Sequence, residues 1–234
     1  VLNEAADMTL EDLVERGRPP DASSSSTTTN HEGGGSVPVL TTIQKIEYAR
    51  DIAAAVADVH DVDYADGGNT TVVHRDLKAD NIVIVDGRIK VNDFNSAVLL
   101  MWDSSKHDKC RFSKHWQVPW YGQTDSPFTE KIDIFCLGGL LYYLITDGKS
   151  PYQQESTNLK HTVQLVKDGI LPVLPSDISN LLHQPEVLEY IRVMNKCFAK
   201  EPTERPTARE IAEELNRLLE NLDKSRARRY IRRM

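Results

Sequence analysis

His74-Arg75-Asp76-Leu77-Lys78-Ala79-Asp80-Asn81, followed by Asn92-Asp93-Phe94-Asn95, is the stretch on which the reading of this chain turns. It sets two carboxylates (Asp76, Asp93), a lysine (Lys78) and an amide (Asn81) around one short connection. Between Asn81 and Asp93 lie the apolar run Ile82-Val83-Ile84-Val85 and the shorter run Ile89-Lys90-Val91, joined through Asp86-Gly87. Two such runs across a D-G pair predict a two-stranded hairpin. The hairpin then sets how far apart the side chains of Asn81 and Asp93 stand. Val72-Val73 predicts a short strand leading into the loop.

Outward from this centre, helical patterns dominate. Residues 8–16 predict a short amphipathic helix with Thr9 as N-cap, Asp12 at the third helical position, and Gly17 and Pro19-Pro20 as stops. From Thr41 to His60, apolar residues recur at helical spacing and predict a largely buried helix. Residues 21–37, rich in Ser, Thr and Gly, read as a flexible insertion, and residues 61–70 as a second loop. Beyond about residue 129 the pattern is helical, at roughly 129–147, 157–168, 185–199 and 207–222. Thr207 and Glu210 predict a capping box for the last helix.

Bulk properties narrow the function. The 234 residues suffice for one large domain with a substantial core. The net charge is −7, yet Lys224, Arg226, Arg228, Arg229, Arg232 and Arg233 carry +6 within the last eleven residues, which leaves −13 on residues 1–223. An acidic body argues against nucleic-acid binding. The basic tail, residues 223–234, reads as a solvated, frayed terminus or a contact for an acidic partner. Cys110, Cys136 and Cys197 lack C-x-x-C pairing and read as free thiols, pointing to a reducing compartment and the cytoplasm. The longest apolar run, Ile134 to Ile145, is too short to span a bilayer, and no signal peptide is visible.

All six fixed positions of the loop match the H-R-D-L-K-x-x-N pattern of protein kinases, and Asp93-Phe94 stands where D-F-G is expected. At about 5% per residue type, six matches arise by chance on the order of once in 10⁷–10⁸ windows. The chain resembles the C-terminal lobe of a eukaryotic protein kinase, from a hinge-like Val1-Leu2-Asn3-Glu4 to about residue 222. The fold this implies is mainly α with a small β-hairpin, a protein-kinase-like C-lobe of α+β class.

The resemblance implies specific roles. Asp76 would accept the hydrogen bond of a substrate hydroxyl, and Lys78 would neutralise charge on the transferring phosphoryl of ATP. Asn81 and Asp93 would supply hard oxygen ligands to Mg²⁺. Arg75 would pair with a phosphorylated residue of an activation segment at 96–120, where Ser104, Ser105 and Ser113 are candidates. His74 would pack and hydrogen-bond. Asp133, in Asp133-Ile134-Phe135-Cys136-Leu137-Gly138, would cap the strained loop through its backbone. Arg205 matches the arginine of the D-P-x-x-R-P-[ST] segment, with Glu201 replacing the Asp. Lys78 resembles the serine/threonine class.

Three departures qualify the resemblance. No glycine-rich strand or V-A-I-K lysine precedes the hinge, so the expectation is a fragment with the N-lobe absent and little phosphotransfer of its own. Asn95 replaces the glycine of D-F-G, and it tolerates φ > 0 best among the other residues. Val118-Pro119-Trp120 stands where A-P-E is expected, leaving Arg205 to Trp120 as a cation–π partner or to Glu130. The implied function is a serine/threonine protein kinase using ATP and Mg²⁺ on protein substrates. A pseudokinase scaffold acting by protein binding is the alternative, and a small-molecule kinase fits the long activation segment less well.

Overall fold

The computed structural model describes residues 6–16, 39–61, 71–100, 129–156 and 158–231. The hinge-like residues 1–4, the insertion at 21–37 and the loop at 62–70 lie outside them. So does the activation segment from 101 onward, with Ser104, Ser105, Cys110, Ser113 and Trp120.

Strand β1 (Met8–Thr9) runs into helix α1 (Leu10–Arg16). Thr9 and Asp12 explain the change of conformation. Asp12 N–H donates to Thr9 Oγ1 at 3.0 Å and Thr9 N–H donates to the Asp12 carboxylate at 3.0 Å, so the two residues satisfy each other's backbone donors. Hydrogen bonding from Thr9 holds the Asp12 carboxyl below its ordinary value. Helix α2 (Thr42–His60) opens on the same device: Gln44 N–H donates to Thr41 Oγ1, and Thr41 N–H donates to Gln44 Oε1. Its inner face, Ile46, Ala49, Ile52, Ala53 and Val56, is fully buried.

Strand β2 (Thr71–Val73) precedes the loop, and strands β3 (Ile82–Val85) and β4 (Arg88–Val91) form the hairpin. Two-residue reversals of this hand need positive φ. Asp86 (φ 50°) and Gly87 (φ 71°) supply it, with Val85 opposite Arg88 and Ile82 opposite Val91. Strand β5 (Val98–Leu100) pairs antiparallel with β2, Val73 opposite Val98.

The sheet content departs from the sequence reading. β1 adds a third strand to the hairpin, Met8 opposite Ile84 and Thr9 opposite Val83, giving the order β1-β3-β4. β2 and β5 make a second, two-stranded sheet. The expectation of a mainly α C-lobe with one hairpin is therefore corrected: among the described residues, two small sheets and the helices make a bilobal, kinase-like arrangement.

Helix α3 (Lys131–Ile145) is the pillar of the core. Every residue after Lys131 is buried, so it carries no polar face. Gly138 lets a neighbour come close, because a Cβ there would lie 2.7 Å from Cys197 Cβ. The helices that follow are α4 (Leu159–Lys167), the short α5 (Ser176–Ser179), α6 (Pro185–Cys197) and α7 (Ala208–Ile231). α6 packs on α3, and α7 lies along α2. The buried phenol of Tyr190 donates to Leu141 O at 2.8 Å, satisfying its only polar atom. Cys136 and Cys197 are buried, and burial pushes the thiol of Cys197 up to about 12.

Thr207 and Glu210 form the expected capping box, with Thr207 N–H donating to Glu210 Oε2 at 2.7 Å. α7 then continues past the expected end at 222 to Ile231. The basic tail is thus helical over most of its length rather than frayed. No helix among the described residues is long and apolar enough to cross a membrane.

Candidate active site

The site is built on a loop whose backbone is held by a side chain from far along the chain. Arg75 sits at φ 70°, a conformation that costs a non-glycine residue on the order of 1–3 kcal/mol. Asp133, completely buried in the first turn of α3, accepts from His74 N–H at 2.6 Å and from Arg75 N–H at 2.9 Å. Charge-assisted bonds of this kind contribute roughly 1.5–3 kcal/mol each, enough together to offset the strain. A third partner is His60, at the end of α2, whose Nε2 donates to Asp133 Oδ2 at 3.0 Å. Sequence reasoning missed His60, since a single histidine at a helix end carries no local signature.

His74 is buried, and its imidazole ties the loop at Asp76 to the far end of the hairpin at Asn92. Nε2 faces the Asn92 carbonyl at 2.9 Å, and a carbonyl only accepts, so the ring proton is on Nε2. Nδ1 then accepts from Asp76 N–H at 3.3 Å. The ring also meets Phe94 edge-on, centroids 4.9 Å apart.

Asp76, Lys78 and Asn81 form one cluster. Asn81, with 6% of its surface exposed, uses Nδ2 to donate to Asp76 O at 2.8 Å and to Asp76 Oδ2 at 3.1 Å. Lys78 Nζ lies 3.3 Å from the same Oδ2. The tight turn Ala79–Asn81 brings them together, closed by Asn81 N–H donating to Lys78 O at 3.0 Å. With its amide nitrogen directed at Asp76, Asn81 keeps its side-chain oxygen as the remaining, acceptor end.

Asp93 joins from the far end of the hairpin. Asn92 N–H donates to Asn81 O at 2.8 Å, fixing the register between the two segments. Asp93 itself is left-handed (φ 62°), and its Oδ1 accepts from Asn95 N–H at 3.3 Å and from Asn95 Nδ2 at 2.6 Å. A glycine at 95 would lack the second of these bonds. No group of three or more His, Cys, Asp or Glu gathers as a metal centre among the described residues. The donor set at issue is instead the Asn81 amide oxygen with the Asp93 carboxylate, which retains lone pairs beyond those Asn95 uses. Hard oxygen donors of this kind suit Mg²⁺.

Two further groups frame the loop. Arg205 is buried, donating from Nε to Ala199 O at 2.9 Å and from Nη1 to Lys131 O at 2.8 Å, and its guanidinium lies 5.1 Å from the Phe135 ring centre. Phe135 thus holds the cation–π position considered for Trp120. The side chains of Glu11 in α1 and Asp80 in the loop are hydrogen-bonded, and that bond, with burial and the Asp80 charge, raises the Glu11 carboxyl to about 7. Neither contact follows from local sequence.

Comparison with known proteins agrees with this geometry. The chain matches the family described as Protein kinase domain over residues 35–215. It is 26% identical over 180 residues, 76% of its length, to a protein of Acanthamoeba polyphaga mimivirus named as a serine/threonine-protein kinase/receptor. It is 32% and 29% identical, over 64% and 68% of its length, to macrophage colony-stimulating factor 1 receptors 1 and 2 of Takifugu rubripes. The chain spans between 10% and 15% of the length of these relatives. The expectation of a C-terminal lobe with the N-lobe absent is corrected here. One kinase-domain match covers almost the whole chain, and the described residues hold a small β-sheet beside the helical body. The ground for expecting an inactive fragment goes with it. A strained H-R-D loop moored to a buried aspartate, and a family match over most of the sequence, lead to one statement: the chain belongs to the protein kinase family.

Proposed function

We propose that this site transfers the γ-phosphoryl group of ATP to a serine or threonine hydroxyl of a protein substrate. The observation that carries the reading is the Asp76–Lys78–Asn81 cluster, in which one carboxylate oxygen meets both the amide and the ammonium. Asp76 accepts the hydrogen bond of the attacking hydroxyl and orients its oxygen. Lys78 carries positive charge to the oxygens of the transferring group. Asn81 and Asp93 would hold Mg²⁺, which when bound neutralises phosphate charge. Asn81 fixes Asp76 through Nδ2 and keeps its oxygen as an acceptor, so one hydrogen-bond pair orients both side chains. Asp133 and His60 hold the backbone on which Asp76 is carried. Arg75 would engage a phosphorylated residue of the activation segment. Lys78 and the viral relative's name support the serine/threonine class.

A second reading, a scaffold of kinase shape acting by protein binding, is favoured by one observation. Asn95 donates twice to Asp93 Oδ1 and competes there with a metal. One experiment separates the two. The chain is incubated with Mg·ATP and a generic basic protein, beside an Asp76→Ala variant. The enzyme reading expects phosphate incorporation that falls at least about a hundredfold in the variant. Equal incorporation by both, or none by a chain that also fails to bind Mg·ATP, sinks it in favour of the scaffold.

A further inference from the structure

Asn95 stands where the D-F-G pattern has glycine, and the backbone does not explain it. The positive φ of this turn falls on Asp93, at 62°, and Asn95 is not among the left-handed residues. What Asn95 adds is its side chain. Asp93 Oδ1 accepts from Asn95 N–H at 3.3 Å, a bond that glycine could also make. It accepts from Asn95 Nδ2 at 2.6 Å, a shorter bond that only an amide side chain supplies. Asp93 Oδ2 has no hydrogen-bond partner among the described residues. The two oxygens of one carboxylate are therefore unequal, one engaged and the other open.

The main chain around the pair is held from both sides. Ala97 N–H donates to Phe94 O at 3.0 Å and closes the turn Phe94–Ser96. On the other side, His74 Nε2 donates to Asn92 O at 2.9 Å, and the same ring meets Phe94 edge-on. With the backbone fixed, the freedom left to Asp93 is rotation of its side chain, and two bonds converging on Oδ1 oppose that rotation.

We propose that Asn95 is a positioning residue that reserves Oδ1 of Asp93, so that a divalent cation meets one oxygen of this carboxylate rather than two. The proposal rests on the reading of Asn81 and Asp93 as the metal-holding pair, and it adds which cation the pair favours. Ca²⁺ gathers a large, irregular shell and readily takes both oxygens of one carboxylate. Mg²⁺ has a compact octahedral shell and keeps several waters. Reserving Oδ1 therefore costs Ca²⁺ more than Mg²⁺, and Asn95 sets a preference between them.

The test measures cation binding by the whole chain, without nucleotide or phosphotransfer. Mn²⁺, a hard cation taken by oxygen donors, is titrated by water-proton relaxation and then displaced with Mg²⁺ or Ca²⁺. The natural chain is compared with Asn95→Gly and Asn95→Ala, the second of which removes the amide without glycine's added flexibility. Both variants should bind Ca²⁺ about tenfold more tightly and Mg²⁺ no more than about threefold, and Asp93→Ala should abolish binding. The carboxyl carbon resonance of Asp93 should also move in both variants before any metal is added. A natural chain that binds Mn²⁺, with the preference between Ca²⁺ and Mg²⁺ unchanged in both variants, overturns the role of Asn95 and leaves the metal-holding pair standing. No Mn²⁺ binding by any of these chains sinks the pair, and the inference with it.

Discussion

The loop that carries Asp76 and the helical body beneath it are stabilised by opposite means. Around residues 74–95 the chain adopts positive φ at Arg75, Asp86 and Asp93, and polar side chains hold it there one bond at a time. In α3, α6 and α7 the backbone is regular, and stability comes from buried side chains such as Leu137, Leu140, Met194 and Leu215, each contributing roughly 1.5–3 kcal/mol. Removing one polar partner from the loop leaves buried groups unsatisfied, whereas losing one contact in the body is spread over many neighbours. The loop should therefore fail locally and the body globally.

Asp133→Ala tests the loop hardest. It strips one buried and one part-buried backbone donor, and His60, of their acceptor, at a cost of about 3–5 kcal/mol. Amide exchange at His74 and Arg75 should accelerate far more than at Leu140. Equal acceleration at both would erase the contrast.

Gly138→Ala tests the body. Its new methyl would meet Cys197 Cβ at 2.7 Å and Phe198 at 3.2 Å, so overpacking should cost about 1–3 kcal/mol, seen as a lower denaturant midpoint. Exchange at His74 should keep its rank relative to the core. Thr207→Ala, which removes an N-cap of α7, should cost about 1 kcal/mol by the same measurement.

Glu11→Gln gives the smallest effect, and one that depends on pH. The Glu11 carboxyl is raised from 4.5 to about 7, so its contribution is fully present below 4.5 and is lost as pH rises through 7. The variant should flatten stability between those limits and raise it slightly above pH 7. Solvent screening keeps the change below about 1 kcal/mol. An unchanged pH profile would show that Glu11 and Asp80 do not share a proton.

The same contrast decides what could be read from the sequence. The loop was legible because the protein kinase family fixes residue identity there at fixed spacing, and Asp86-Gly87 because few residues tolerate the turn. α2 and the later helices were legible from apolar periodicity. β1 was not, since two residues show no period and their partners are Ile84 and Val83, far along the chain. β5 was not either, since Val98-Leu99-Leu100 becomes a strand only by meeting β2. His60 and Phe135 acquire their roles from Asp133 and Arg205. The continuation of α7 into the tail was hidden by charge, although Arg, Lys and Ala are good helix formers.

The mooring of His74 and Arg75 to Asp133 also orders events during synthesis. The two partners of the shorter link are 58 residues apart, so the loop emerges from the ribosome well before the carboxylate that holds it. A nascent chain ending short of residue 133 has nothing to keep Arg75 left-handed, and that segment stays unfixed however complete its own sequence is. The H-R-D loop is translated early and finished late.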